Sequence, residues 1–450
     1  MKLKVRQTAF FCALAFILSD EARAVDLDLA RFATAKENQI RENAQTITNK
    51  VPSIVWRYFD AVRVDNWENA TNLAERIKQA SGRYAYLTTN ESISPALNTL
   101  IWPSINEMVG TYDQFHDWDN KWLHRFGSEI IDSIPEGSIY FGGTDPGRFI
   151  ISALTESHEN GKHFFVLTQN QLVDQAYLEY LRRKYGKKIY IPTVEDLRNT
   201  FQEYMTNAQQ RLKQGQLKPG ENIYTLPDGR IQANGVVSVM EVNALLGRII
   251  FDKNQRHEFY VEESYPLDWM YPYLSPHGLI FQLNAKPLAE LSGAEVQKDK
   301  DYWKQLTSVL IGNWLADNTS IKEECDFVDK TYLDKNLDGF KGDMGFAKNQ
   351  QTQKCFSKLR SSLAGMYAWR AEHARDNDER SRMQEAADQA FRQAYALCPY
   401  SPEAIFRYTD FLVKIKRPDD AFLIAKTSLR LDPNNPQFQE LIRSVRKQIN

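Results

Sequence analysis

The chain has 450 residues, with 56 Lys plus Arg against 58 Asp plus Glu, a balance that excludes the broad basic face expected of a nucleic-acid-binding protein. Its length allows two or three domains of roughly 150 residues each, with room for a sizeable core. Four cysteines are too few for a disulfide scaffold.

Residues 1–24 read as an export signal. Lys2, Lys4 and Arg6 precede an apolar run over 9–18, and Ala22-Arg23-Ala24 then stands before Val25, the expected mature start. The run falls well short of the roughly 20 apolar residues that cross a bilayer, and no later segment reaches that length. Cleavage is therefore favoured over a retained anchor, and the product is expected to be exported, with no stable membrane span. Cys12 lies inside the run and lacks the preceding small residues of a lipid-attachment site. Cys325, Cys355 and Cys398 permit one bridge, with Cys325–Cys355 the candidate pair.

From 25 to 134 the pattern is helical. Ile54, Val55, Tyr58, Phe59 and Val62, then Ala70, Leu73, Ala74 and Ile77, recur at three- and four-residue spacing and predict a helical hairpin, with Asn66 and Trp67 in its connection. The stretch 118–126 is rich in Trp, His and Asp and reads as an aromatic cluster packing this helical region onto the rest of the chain.

From 135 to 290, short apolar runs at 138–141, 163–168, 188–191, 259–262 and 279–283 predict strands. Helical patterns over 146–157, 172–185, 194–213 and 237–251 separate most of them, with Thr193 and Asp196 set as a capping box. Such alternation predicts βαβ units: an α/β fold, a mostly parallel sheet with flanking helices. Pro227-Asp228-Gly229, inside 223–232, inserts a hairpin.

The most informative stretch is Ser138-Ile139-Tyr140-Phe141-Gly142-Gly143-Thr144-Asp145-Pro146-Gly147-Arg148-Phe149, a strand running through a glycine turn into a helix. Asp145 before Pro146 is a helix start, with the aspartate as cap. Arg148 opposes the helix dipole at a cost of roughly 0.3–1 kcal/mol, so an acidic partner or a bound anion is expected beside it. Gly143, Thr144, Asp145 and Arg148 thus form a candidate anion or sugar site at the carboxyl end of a strand; the alternative is that Asp145 caps and Arg148 pairs with a carboxylate. Glu262, Glu263 and Asp268 are candidate acid–base carboxylates. The two glutamates are neighbours on a strand and point to opposite faces, so at most one shares a cleft with Asp268. Tyr265, Trp269, Tyr271 and Tyr273 offer aromatic faces for sugar stacking or for packing between domains.

A helical connector is expected over 291–358. Within it Asp334, Asn336, Asp338 and Gly339 match the first half of a calcium loop, but Gly345 occupies the position of the bidentate glutamate. The histidines are dispersed, His158 and His163 flanking a helix end. No cofactor motif appears: there is no nucleophile elbow, Walker loop, zinc helix or Rossmann glycine triplet. From 359 to 450 a period of 34 can be counted between Pro399 and Pro433, Pro402 and Pro436, Leu397 and Leu431, and Ala387 and Ala421, the tetratricopeptide period. All-α tetratricopeptide-like repeats are expected there. Two units are fewer than an independent stack needs, so they should lean on the preceding domain or on a terminal helix over 437–448.

The 138–149 stretch, Leu167-Thr168-Gln169-Asn170, the run 259–272 and Pro276-His277-Gly278-Leu279-Ile280-Phe281 resemble an uncharacterised bacterial family known from Verrucomicrobia and Planctomycetes. That family is similar to the soluble region following the membrane spans of glycosyltransferase-like proteins related to protein O-mannosyltransferases. The resemblance covers roughly 96 to the C-terminus and carries no established reaction. The membrane-spanning catalytic half has no counterpart here, which implies a non-catalytic, exported relative. The expectation is therefore a binding or scaffold protein, recruiting envelope proteins through its repeat surface and a glycan or anionic ligand through its α/β domain. The alternative is a carbohydrate-active or phosphoryl-binding enzyme using Asp145, Arg148 and one of Glu262, Glu263 or Asp268.

Overall fold

The computed structural model describes residues 26–46, 50–80, 95–157, 164–218, 220–227, 229–263 and 267–449. Residues 1–24, expected to be an export signal, and Val25, His158, His163, Asp228 and Tyr265 lie outside the described residues.

Five helices come first: α1 (Leu27–Ala44), α2 (Ser53–Arg63), α3 (Trp67–Ala80), α4 (Pro95–Asp117) and α5 (Asn120–Ser133). The hairpin of α2 and α3 turns through Asp65, held at φ 51°, and its apolar stripes bury Val55, Phe59, Val62 and Ile77 against Phe32 and Ile40 of α1 and Ile101 and Ile105 of α4. α5 faces away from that core. Trp122 and Phe126 pack instead on Phe356, with ring centroids 6.0 and 6.1 Å apart, so the aromatic cluster at 118–126 joins this region to the C-terminal helices.

The middle of the chain runs β1 (Ile139–Gly142), α6 (Asp145–Ser157), β2 (Phe165–Thr168), α7 (Gln175–Tyr185), α8 (Val194–Gln214), β3 (Asn222–Thr225), β4 (Ile231–Asn234), α9 (Val236–Lys253) and β5 (Phe259–Glu262). A 3-10 turn (Asp268–Tyr273), β6 (Leu274–His277) and β7 (Ile280–Leu283) come next. Thr193 and Asp196 close a reciprocal capping box on α8. β3 and β4 form the antiparallel hairpin.

The main sheet has the order β2-β1-β5-β7-β6. β1 is parallel to both β2 and β5, whereas β7 is antiparallel to β5 and β6 to β7, so the sheet is mixed rather than mostly parallel. Every residue of β1 and β5 is buried, as expected of strands covered on both faces. Two departures explain the difference. The apolar run at 188–191 does not join the sheet: the Asn254 side chain accepts from Tyr190 N (2.7 Å) and donates to Tyr190 O (3.0 Å), replacing a strand partner. β6 carries Pro276, which argues against a strand until its place is known; it lies at the edge, where the missing N–H leaves no ladder bond unmade.

The C-terminal part is helical. Its elements are α10 (Gly293–Ile311), α11 (Ile321–Val328), a π-turn (Asp329–Leu333), α12 (Met344–Lys348), α13 (Gln350–Glu372), α14 (Asn377–Leu397), α15 (Pro402–Lys414), α16 (Pro418–Leu431) and α17 (Pro436–Ile449). Pro402 and Pro436, 34 apart in the sequence, each open a helix, where the ring's fixed φ costs nothing. α13 packs on α14, α14 on α15, α15 on α16 and α16 on α17. One apolar core runs from Trp118 through the sheet to Val445 of α17. Within it Asp299 of α10 meets Arg360 Nη1 at 2.8 Å and Tyr367 OH at 2.9 Å, both from α13. Cys325, Cys355 and Cys398 are buried and unbridged. Among the described residues no helix is long and apolar enough to cross a membrane.

Candidate functional site

The turn after β1 closes on two glutamates at the end of β5. Gly142 stands in register with Glu262, and Gly143 N donates to the Glu262 carbonyl at 2.7 Å. The Glu262 side chain then folds back over the turn. Its Oε2 accepts from Gly143 N (3.2 Å) and Thr144 N (3.1 Å), and its Oε1 from the Thr144 hydroxyl (2.6 Å). Amides at a strand-to-helix turn ordinarily cradle an anion; here the chain's own carboxylate fills that cradle. The glycines make the fit possible. A Cβ on Gly147 would stand 1.7 Å from Glu262 Oε2, and one on Gly143 1.7 Å from Glu263 Oε2. Burial pushes the Glu262 carboxyl up to about 7, with the nearby Glu263 adding to it, while the Thr144 and Gly143 hydrogen bonds pull the other way.

Capping differs by one residue from the expectation. Thr144, not Asp145, closes α6: its hydroxyl accepts from Gly147 N at 3.1 Å. Asp145 is thereby released to hold Arg148, whose Nε and Nη2 reach Asp145 Oδ1 at 3.0 and 2.5 Å. The guanidinium lies 4.3 Å over the Phe149 ring. Asp145 thus compensates the unfavourable cation in the first turn.

Glu263, the residue after β5, brings its carboxylate to the same turn, where its Oε2 flanks Gly143. Its Oε2 accepts from Gln169 Nε2 at 3.3 Å, and its carbonyl accepts from the Ser362 hydroxyl of α13 at 2.7 Å. Asn170 completes the turn by donating Nδ2 to the Gly143 carbonyl at 2.9 Å. Asp268 is not part of this arrangement: its side chain is 94% exposed and lies 4.0 Å from Lys218.

Beside the turn opens a cavity of about 740 Å³. Gly143, Thr144, Asp145 and Glu263 line it, together with Asn170, Asp113 and Asp117 of α4, Met240 of α9, and Lys354 and Lys358 of α13. Neither Arg148 nor Glu262 is among its lining residues. Burial raises the Asp113 carboxyl to about 6, the carboxylates of Asp117 and Asp145 adding to this and Lys78 and His116 opposing it. Asp113, Asn170 and Lys354 were not singled out from sequence as site residues. They come from three separated segments, and no local pattern connects them.

A second cavity, of about 620 Å³, lies among α13, α14 and α15. Trp369 and Phe411 contribute apolar surface, and Tyr271 closes one side with its ring 5.6 Å from that of Trp369. Of the remaining aromatic run, Trp269 donates to Ala244 O at 3.0 Å and packs with Phe251 and Tyr273. Asp334, Asn336 and Asp338 lie on an exposed loop, where Asn336 Oδ1 accepts from Asp338 N at 2.9 Å. Among the described residues the one trio of His, Cys or carboxylate groups close enough to share an ion is Asp26, Asp28 and His124. There His124 bonds to Asp26 at 2.9 Å, while Asp26 also caps α1.

Comparison of the chain with protein-family models, with curated proteins and with solved structures returned no match.

Proposed function

We propose that this protein is an exported, non-catalytic binding protein, whose C-terminal helices act as a tetratricopeptide-like pair that seats an extended segment of an envelope protein. The observation that carries this reading is the groove among α13, α14 and α15. Trp369, Tyr271 and Phe411 give it apolar surface, and Arg380, Arg407 and Lys414 line it together with Glu372 and Asp410. Aromatic and arginine side chains in a concavity are what anchor most binding energy in protein complexes. The one-unit surplus of positive charge favours an acidic segment with an apolar anchor. Export rests on residues 1–24, and the repeat reading rests on the 34-residue spacing.

The alternative, an enzyme working at the glycine turn, is favoured by the cavity beside Thr144, Asp145 and Glu263. Its phosphoryl-binding form has little support, because the amides that would hold a phosphate donate to Glu262. An acid–base pair drawn from Glu262 and Asp268 has none, since one is buried in the turn and the other is exposed beside Lys218.

Fluorescence anisotropy with short acidic peptides bearing one aromatic residue tests the groove. Trp369→Ala and Lys414→Glu are each expected to weaken binding about tenfold or more, as loss of an anchor does. Peptide binding that both variants leave intact would remove the reading.

A further inference from the structure

The cavity beside the glycine turn lies where the topology opens the sheet. β1 connects through α6 to β2 on one side, while the chain leaving β5 goes to β6 and β7 on the other. The two connections diverge, and a crevice forms between them at the carboxyl ends of the parallel strands, the usual ligand position in open α/β sheets. Its volume, about 740 Å³, lies within the ordinary range of small-molecule sites.

The lining restricts the chemistry of an occupant. Asp113, Asp117, Asp145 and Glu263 face two lysines, Lys354 and Lys358. Lys358 is held by Glu403 at 2.9 Å, and the turn amides are taken by Glu262. An anion therefore meets an excess of carboxylates and few free donors. A wholly apolar ligand would desolvate these charged groups without replacing their hydrogen bonds. What the wall offers in quantity is acceptors. Asn170 Oδ1 is buried and has no hydrogen-bond donor among the described residues, although its Nδ2 is committed to the Gly143 carbonyl. Each aspartate can accept several hydroxyl protons. The Lys354 ammonium, which has no hydrogen-bond or ion-pair partner among the described residues, supplies donors, and Trp67 and Met240 border the cavity with apolar surface.

We propose that this cavity binds a neutral, polyhydroxylated ligand, a sugar of one or two rings, with Asp113 and Asn170 accepting from its hydroxyls and Lys354 donating to them. Hydroxyl-rich rings suit such a wall because they carry many donors on one edge and C–H surface on the face. The site is separate from the α13–α15 groove and does not depend on the reading given to it.

Saturation-transfer NMR on the full chain tests the proposal. The probes are glucose, galactose, mannose, N-acetylglucosamine, maltose and cellobiose, with glucose 6-phosphate and spermidine as charged comparisons. At least one neutral sugar should bind, with its affinity falling about tenfold in Asp113→Ala, in Asn170→Ala and in Lys354→Met, and unchanged in the groove variant Lys414→Glu. Lys354 is half-buried and outside the turn, so Lys354→Met keeps the test open should Asn170→Ala disturb the turn. Circular dichroism melting identifies the variants that retain the fold. No neutral sugar bound by the native chain, preferential binding of either charged probe, or binding unaffected by the folded cavity variants would each overturn the proposal. A peptide that still binds the groove while every sugar fails would sink this inference and leave the groove reading standing.

Discussion

Two buried charge clusters in this molecule solve the same problem in opposite ways. Where α1 meets α4, α6 and α7, Lys36 is buried with its ammonium 2.5 Å from Glu107, 3.1 Å from Glu156 and 3.0 Å from the Tyr180 hydroxyl. Lys184 adds a second cation on Glu156. Two cations face two carboxylates. Burial pulls the Lys36 ammonium down, but Glu107 and Glu156 more than offset it and hold it above the usual lysine range. Burial raises Glu156, but Lys184 and Lys36 overcome this and bring it to about 2. At the glycine turn, Glu262 has hydrogen-bond donors instead of a cation, and its carboxyl stays near 7. Charge balance locks one cluster across the pH range of life, whereas dipoles alone leave the other close to titrating.

The largest expected effect breaks the balanced cluster. Lys36→Met leaves Glu107 without its cation and should cost about 3–5 kcal/mol of stability, the usual penalty for removing one partner of a buried pair; urea unfolding at pH 7 reads it. A loss under about 1 kcal/mol, the range of solvent-exposed pairs, would mean that water reaches these carboxylates.

The unbalanced cluster predicts a pH dependence of definite sign. Glu262 is raised from 4.5 to about 7 in the folded chain, so the folded state holds a proton that the unfolded state releases first. The stabilisation is fully present below about 4.5 and is lost as the pH rises through about 7, a change of about 3 kcal/mol. Glu262→Gln keeps an acceptor for the amides and a donor for Thr144, and removes the titration. The variant should gain on the native chain by that amount between about pH 4.5 and 8, and parallel stability curves would refute the assignment.

Thr144→Val comes next. It removes both the hydroxyl donor to Glu262 and the cap on Gly147 N, and should cost about 1–2 kcal/mol, with the Glu262 titration moving to higher pH by NMR. The smallest effect is expected from Arg148→Ala. Its pair with Asp145, whose side chain is 60% exposed, should contribute no more than about 1 kcal/mol. A larger loss, or a lost ligand, would restore Arg148 as a functional group.

Much of this was legible in the sequence where the signal is local. The hairpin of α2 and α3, the capping box on α8, the strand–turn–helix at β1 and the succession α13–α17 all arise from periodicity, caps and turn residues. The 188–191 segment was not legible, because Asn254, 64 residues beyond Tyr190, satisfies its backbone. Nor was β6, because Pro276 is acceptable only at a sheet edge. Strand alternation sends Glu262 and Glu263 to opposite faces, yet both carboxylates come to flank Gly143, and alternation could not reveal that Glu262 turns back into the amides of Gly143 and Thr144.

The sequence by itself determined most of the helical segments, the strand-to-helix turn after β1, and that Arg148 needs an acidic partner or an anion, since each depends on residues within a turn or two. Only the tertiary structure decided that the sheet is mixed, that the anion cradle is filled by Glu262, and that Asp113, Asn170 and Lys354 share a cavity. The physical reason is one of range. Helix propensity and capping act over a few residues, whereas strand partners, burial of a carboxyl and the walls of a pocket depend on groups brought together by packing.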